Sequence, residues 1–168
     1  TMNKITVDID SDEGSIRVWN NGNGIPVVMH EVEKVYVPEL IFGNLLTGSN
    51  FDDNEAKTTG GRNGYGAKLA NIFSTKFVVE TYDSSRSLHY CQEFTDNMNS
   101  KGEPKISKKC SGSDFTCITF FPDLARFKMD CLDEDTVALL SKRVYDLSGT
   151  NTAKGSKLNV WLNGSKID

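Results

Sequence analysis

Gly60-Gly61-Arg62-Asn63-Gly64-Tyr65-Gly66-Ala67-Lys68-Leu69 sets four glycines, two cations and an asparagine in one short run. It leads into a helix over residues 65–74, whose Leu69, Ile72 and Phe73 fall on one face. Glycines let successive backbone N–H groups converge on a point. The start of a helix adds unpaired N–H donors and the positive end of its dipole. Arg62 and Lys68 supply positive charge, each charge-assisted bond contributing about 1.5–3 kcal/mol. A polyphosphate needs this combination; a lone carboxylate does not. A glycine-rich turn that merely caps a helix is the competing explanation, and it needs one glycine, not four.

The run excludes the familiar phosphate loops. A Walker A loop requires Gly-Lys followed by Ser or Thr, but Ala67 precedes Lys68 and Leu69 follows it. The dinucleotide fingerprint and the kinase loop, counted from Gly64, both require glycine at position 69. The dinucleotide fold also needs a parallel βαβ unit, and the surrounding elements do not supply one.

Upstream, residues 47–63 form a long polar loop with an acidic cluster at Asp52, Asp53 and Glu55, a length that points to function or mobility. Pro38 suits the first turn of a short helix carrying Leu40, Ile41, Leu45 and Leu46. Asn20-Asn21-Gly22-Asn23-Gly24-Ile25-Pro26 fits no regular element. It follows a hairpin in which Ile5, Val7 and Ile9, then Ile16 and Val18, alternate with polar residues across a turn at Ser11–Gly14. Taken alone, Gly22-Asn23-Gly24 suits a hairpin exit as well as a ligand loop. With the second glycine loop it can flank one nucleotide, Asn20 offering both donor and acceptor to an adenine edge.

Downstream, Phe77-Val78-Val79 reads as a strand and residues 87–121 as a run of antiparallel strands, with turns near 97–102 and 111–114. A helix over 134–147 aligns Val137, Leu140, Val144 and Leu147. Leu158, Val160 and Leu162 form a last strand, and Asn163-Gly164-Ser165 reads as a turn rather than a glycosylation site. Hairpin, helices, meander, helix and strand give an α+β fold with a mostly antiparallel sheet and helices on one face.

The 168 residues, 38% hydrophobic and 25% charged, suit one globular domain. No apolar run nears the ~20 residues of a membrane span, and there is no secretion signal at Thr1-Met2-Asn3-Lys4. A net charge of −4 argues against a surface that coats nucleic acid. Cys91, Cys110, Cys117 and Cys131 lack Cys-x-x-Cys spacing, and His30 and His89 have no ligand-like spacing. Reduced intracellular thiols are expected, with no metal site in the chain.

Asn20 to Val27, Tyr36-Val37-Pro38-Glu39-Leu40-Ile41-Phe42-Gly43, Leu46-Thr47-Gly48-Ser49-Asn50, Thr59 to Phe77 and Phe121-Pro122-Asp123-Leu124 closely resemble the ATPase domain of eukaryotic type II DNA topoisomerases. The resemblance covers essentially the whole chain and implies the GHKL-type α/β sandwich, a mixed sheet backed by helices. It also implies site roles. Asn20, Gly22 and Gly24 match the first glycine box, with Asn20 at the adenine. Ser49 and Asn50 match a loop lining the nucleotide, although Gly48 stands where serine is common. Gly61, Arg62, Asn63, Gly64, Tyr65, Gly66, Ala67 and Lys68 match the box around the triphosphate, and 51–61 match the ATP lid.

The resemblance further implies ATP and Mg2+ as cofactors, duplex DNA bound through other domains, a homodimeric parent and a nuclear location. The family carries its general-base Glu and magnesium-binding Asn on a helix before the first glycine box. The 19 residues ahead of Asn20 read as a hairpin instead. Residues 1–168 are therefore expected to be a partial domain without catalytic or metal residues, without the following transducer domain, and inactive alone. Asp52, Asp53 and Glu55 read as a solvated lid rather than a substitute base. Tyr36, Tyr65, Tyr82, Tyr90 and Tyr145 are not assigned to DNA cleavage. A truncated, non-catalytic paralogue serving as a binding or interaction module is the alternative reading; another GHKL protein, such as a mismatch-repair or chaperone ATPase, is disfavoured by Tyr36–Gly43 and Thr59–Ile72.

Overall fold

Strand β1 (Lys4–Asp10) pairs antiparallel with β2 (Ser15–Asn20), as the alternation of the first twenty residues predicts. A computed structural model describes residues 2–45, 64–108, 111–150 and 158–167. In these, α1 (Val37–Gly43) and α2 (Gly66–Ile72) precede the strands β3 (Ser74–Asp83), β4 (Leu88–Thr95), β5 (Ser100–Lys101), β6 (Lys105–Lys108) and β7 (Phe115–Pro122). Helix α3 (Glu134–Thr150), β8 (Asn159–Leu162) and β9 (Ser165–Ile167) follow. The sheet order is β5-β4-β3-β7-β2-β1-β8-β9, with β6 also on β4. Every pairing is antiparallel except β1 with β8. The mixed, mostly antiparallel sheet expected from the sequence is therefore present.

Register explains the core. Ile9, Ile16, Phe120, Phe77 and Phe94 face one another in a row across β1, β2, β7, β3 and β4. Because alternate strand residues share a face, the next row on that face is Leu162, Val7, Val18, Ile118, Val79 and Gln92. Leu132 and Val144 pack with Val137 and Leu140 over the β1 and β8 end. At the other end Phe42, Ile41 and Ala70, from α1 and α2, pack with Val27, Phe77, Val79, Tyr90 and Phe94. The helices thus share one face of the sheet.

Three expectations need correction. Helix α1 ends at Gly43, where a Cβ would crowd the Phe94 ring, so Leu45 lies beyond it and is 50% exposed. Leu46 is outside the described residues. On α2, Leu69 is 45% exposed, whereas Lys68 and Asn71 are buried. A third difference is β9, which the sequence reading did not anticipate. Asn163 and Gly164, both at positive φ, make its turn, and the Asn163 side chain accepts from the Ile9 N–H at 2.7 Å and donates to the Ile9 carbonyl.

Candidate functional site

The third row of the helical face breaks the apolar pattern. It reads Val160, Ile5, Asn20, Thr116, Thr81, Tyr90 and Ile106, so three polar residues stand together at its centre. Between the α3 cluster and the α1–α2 cluster, Val18, Asn20, Thr116 and Ile118 remain partly exposed. A half-covered strip ending in amide and hydroxyl groups has the composition of a small-molecule site: apolar walls with a few polar groups that fix orientation.

Asn20 ends β2. Its Nδ2 donates to the Thr116 carbonyl at 3.4 Å, and its Oδ1 accepts from the Gly22 N–H at 3.0 Å. Among the described residues, these bonds use one donor and one lone pair of the amide. The neighbouring Asn21 is structural: its side chain accepts from the Asn3 and Lys4 N–H groups. Gly24 is set against β3, because a Cβ there would overlap the Tyr82 carbonyl oxygen. Ile25 N–H donates to Thr81 Oγ1 at 2.9 Å and Val27 N–H to Asp83 Oδ2 at 3.0 Å.

The second glycine loop enters α2. Gly64 has φ +65°, a conformation glycine adopts without strain. Tyr65 stands at the helix start and is 40% exposed, and Gly66 and Ala67 are exposed. Lys68 is 3% exposed, and its Nζ donates to the Gly64 carbonyl at 2.8 Å. Burial lowers its ammonium pKa below the usual lysine value. Its neighbour Asn71 is fully buried; Nδ2 donates to the Phe42 carbonyl at 3.1 Å while Oδ1 has no partner among the described residues.

Asn20, Gly22 and Gly24 thus share one loop at the end of β2, and Gly64 to Lys68 share the turn into α2, which runs on into β3. Both loops join strands that flank β7. No hydrogen bond links the two groups among the described residues. Ser49, Asn50, Gly61, Arg62 and Asn63 lie outside those residues, as do Asp52, Asp53 and Glu55. Sequence reasoning missed Thr81, Thr116 and Asp83, each an ordinary strand residue by composition and without motif spacing. Among the described residues no three His, Cys, Asp or Glu side chains converge as metal ligands. Cys91, Cys117 and Cys131 are free thiols. Among these residues no helix is long and apolar enough to cross a membrane.

A mixed sheet with helices on one face, a glycine loop after β2 and a second before α2 is the architecture of a known ATPase class. The profile for histidine kinase-, DNA gyrase B- and HSP90-like ATPases matches residues 1–126, and the chain belongs to that family. Within it, the chain is 56% identical to DNA topoisomerase 2-alpha of Gallus gallus, over 99% of this chain and 10% of that protein. It is 54% identical to DNA topoisomerase 2 of Penicillium chrysogenum over the same shares. The crystal structure of the ATPase region of Saccharomyces cerevisiae topoisomerase II matches with a TM-score of 0.92 and 46% identity, over 100% of this chain and 43% of that one. Over its whole length the chain is homologous to the ATPase region of type II topoisomerases. It spans about a tenth of the length of the curated relatives it matches.

Proposed function

We propose that this chain is the ATP-binding part of an ATP-hydrolysing type II DNA topoisomerase. ATP binding would close a gate between two copies of the parent, coupled to passage of one DNA duplex through another, and hydrolysis would reset it. The observation that carries the proposal is the polar cluster of Asn20, Thr116 and Thr81 side by side on the helical face of the sheet, at the point where the first glycine loop leaves β2. Likeness to the yeast ATPase region over the full chain supports it.

Asn20, whose amide carries both donor and acceptor groups, reads the adenine edge. Gly22 and Gly24 shape its loop. Gly61, Arg62, Asn63, Gly64, Tyr65, Gly66, Ala67 and Lys68 surround the phosphates, with Ser49 and Asn50 beside the nucleotide. Mg2+ enters as the counter-ion of ATP, held by the phosphates rather than by any of the described residues. No side chain of residues 1–168 is assigned as general base, so the purified chain is expected to bind ATP without turnover. Duplex DNA, a second copy of the parent and a nuclear location belong to the same proposal.

Calorimetric titration of the purified chain with a non-hydrolysable ATP analogue and magnesium tests it. Saturable binding is expected, weakened by roughly 1.5–3 kcal/mol in Lys68→Ala through loss of a charge-assisted bond. A folded chain that binds no analogue would refute nucleotide binding by this chain.

A further inference from the structure

We infer that Thr81 and Asp83 are positioning residues of the nucleotide site, a clamp that fixes the first glycine loop from beneath. The inference rests on the nucleotide-binding reading above. Thr81 is fully buried and Asp83 is 5% exposed, and both act on the loop that carries the proposed ligand contacts. Being i and i+2 on one strand, they share a face of β3. Their partners have the same spacing: Ile25 N–H on Thr81 Oγ1 at 2.9 Å, and Val27 N–H on Asp83 Oδ2 at 3.0 Å. Pro26 between them has no N–H to satisfy. Two side chains thus take the place of a neighbouring strand for a segment that pairs with none among the described residues.

The clamp is tightened on both sides. Thr81 Oγ1 donates to the Phe115 carbonyl at 2.8 Å, tying the loop to the start of β7. Asp83 also accepts from Ser85 Oγ at 2.6 Å and from Arg86 Nη1 at 2.8 Å, which hold its carboxylate in place. Gly24 lets the loop approach, since a Cβ there would overlap the Tyr82 carbonyl oxygen. At the other end of the loop, Asn20 is fixed by the Thr116 carbonyl and the Gly22 N–H. Residues 20–27 are therefore held at both ends, and Asn20 keeps one orientation of its amide. Small displacements of a positioning loop are costly to recognition.

The test combines amide hydrogen exchange at Ile25 and Val27 with titration of the non-hydrolysable ATP analogue. Thr81→Val keeps the side-chain shape and removes the acceptor. It is expected to speed Ile25 exchange and weaken analogue affinity about tenfold, with Thr81→Ser restoring both. Asp83→Asn should speed exchange at Val27 and give the same test if Thr81→Val does not fold. Val144→Ala, on α3 in the other core cluster, serves as the destabilised control and should keep affinity within about twofold, since distant sites act independently. Wild-type affinity in both Thr81→Val and Asp83→Asn overturns the inference, as does an equal loss in Val144→Ala. Absence of analogue binding by the wild-type chain overturns the nucleotide reading and the inference together.

Discussion

Asp83 is an acid held in its charged form inside the fold. Burial opposes ionisation, but the bonds from Ser85, the Val27 N–H and Arg86, with the Arg86 charge, outweigh it and hold the carboxyl below the usual carboxylate range. A depressed folded-state pKa stabilises the protein above the unfolded value, about 3.9, and the contribution is lost as pH falls through the folded value. Asp83→Asn should therefore melt below the wild type at pH 7, and the gap between the two melting temperatures should narrow as pH falls below the unfolded value. A gap that persists undiminished in acid would remove the carboxylate from this role. Lys68 shows what sequence conveys at this scale and what it does not. Its charge beside a glycine loop was legible; its burial was not, because the Gly64 carbonyl that receives it depends on a left-handed turn rather than on composition.

Among the helices, length decided what could be read. Seventeen residues of α3 repeat the apolar stripe often enough to betray its face, and Val144 is indeed buried. The seven residues of α2 do not. Leu69 seemed the inward residue by hydropathy, yet α2 turns Lys68 and Asn71 inward because each finds a carbonyl, on Gly64 and Phe42. Strand β9 escaped for a similar reason: three residues with one buried side chain carry no alternation, although Asn163-Gly164 announced the turn. Asn71 joins α2 to the end of α1, so Asn71→Ala should cost about 1–3 kcal/mol in denaturant unfolding by leaving the Phe42 carbonyl unpaired. A neutral effect would mean that the orphaned Oδ1 already offsets the bond.

Across the molecule, one sheet face carries both the core and the candidate site, so stability and function share rows. Phe77, 1% exposed, has the Phe42, Phe120 and Phe94 rings at 6.1, 6.3 and 6.5 Å. Phe77→Ala should cost about 3–5 kcal/mol in equilibrium unfolding, and a cost below ~1 kcal/mol would contradict this packing. The fold class was legible because strand alternation and turn residues are local signals. Thr81 and Thr116 were invisible as site residues because only register, a long-range property, sets them beside Asn20.

The pairing of β1 with β8 has a consequence for how the chain comes to be folded on the ribosome. Lys4 to Val7 lie beside Asn159 to Leu162, and the Asn163 side chain reaches Ile9 across 154 residues of sequence. At about 5–20 residues per second of synthesis, the first strand waits on the order of ten seconds for its parallel neighbour to emerge. Through that interval one flank of the β1–β2 hairpin displays unmatched N–H and C=O groups, an invitation to pair with another nascent chain. Closing so distant a contact also carries a loop-entropy cost that local hairpins do not. The last turn of the sheet, made by Asn163 and Gly164, is then the step that seals the first strand.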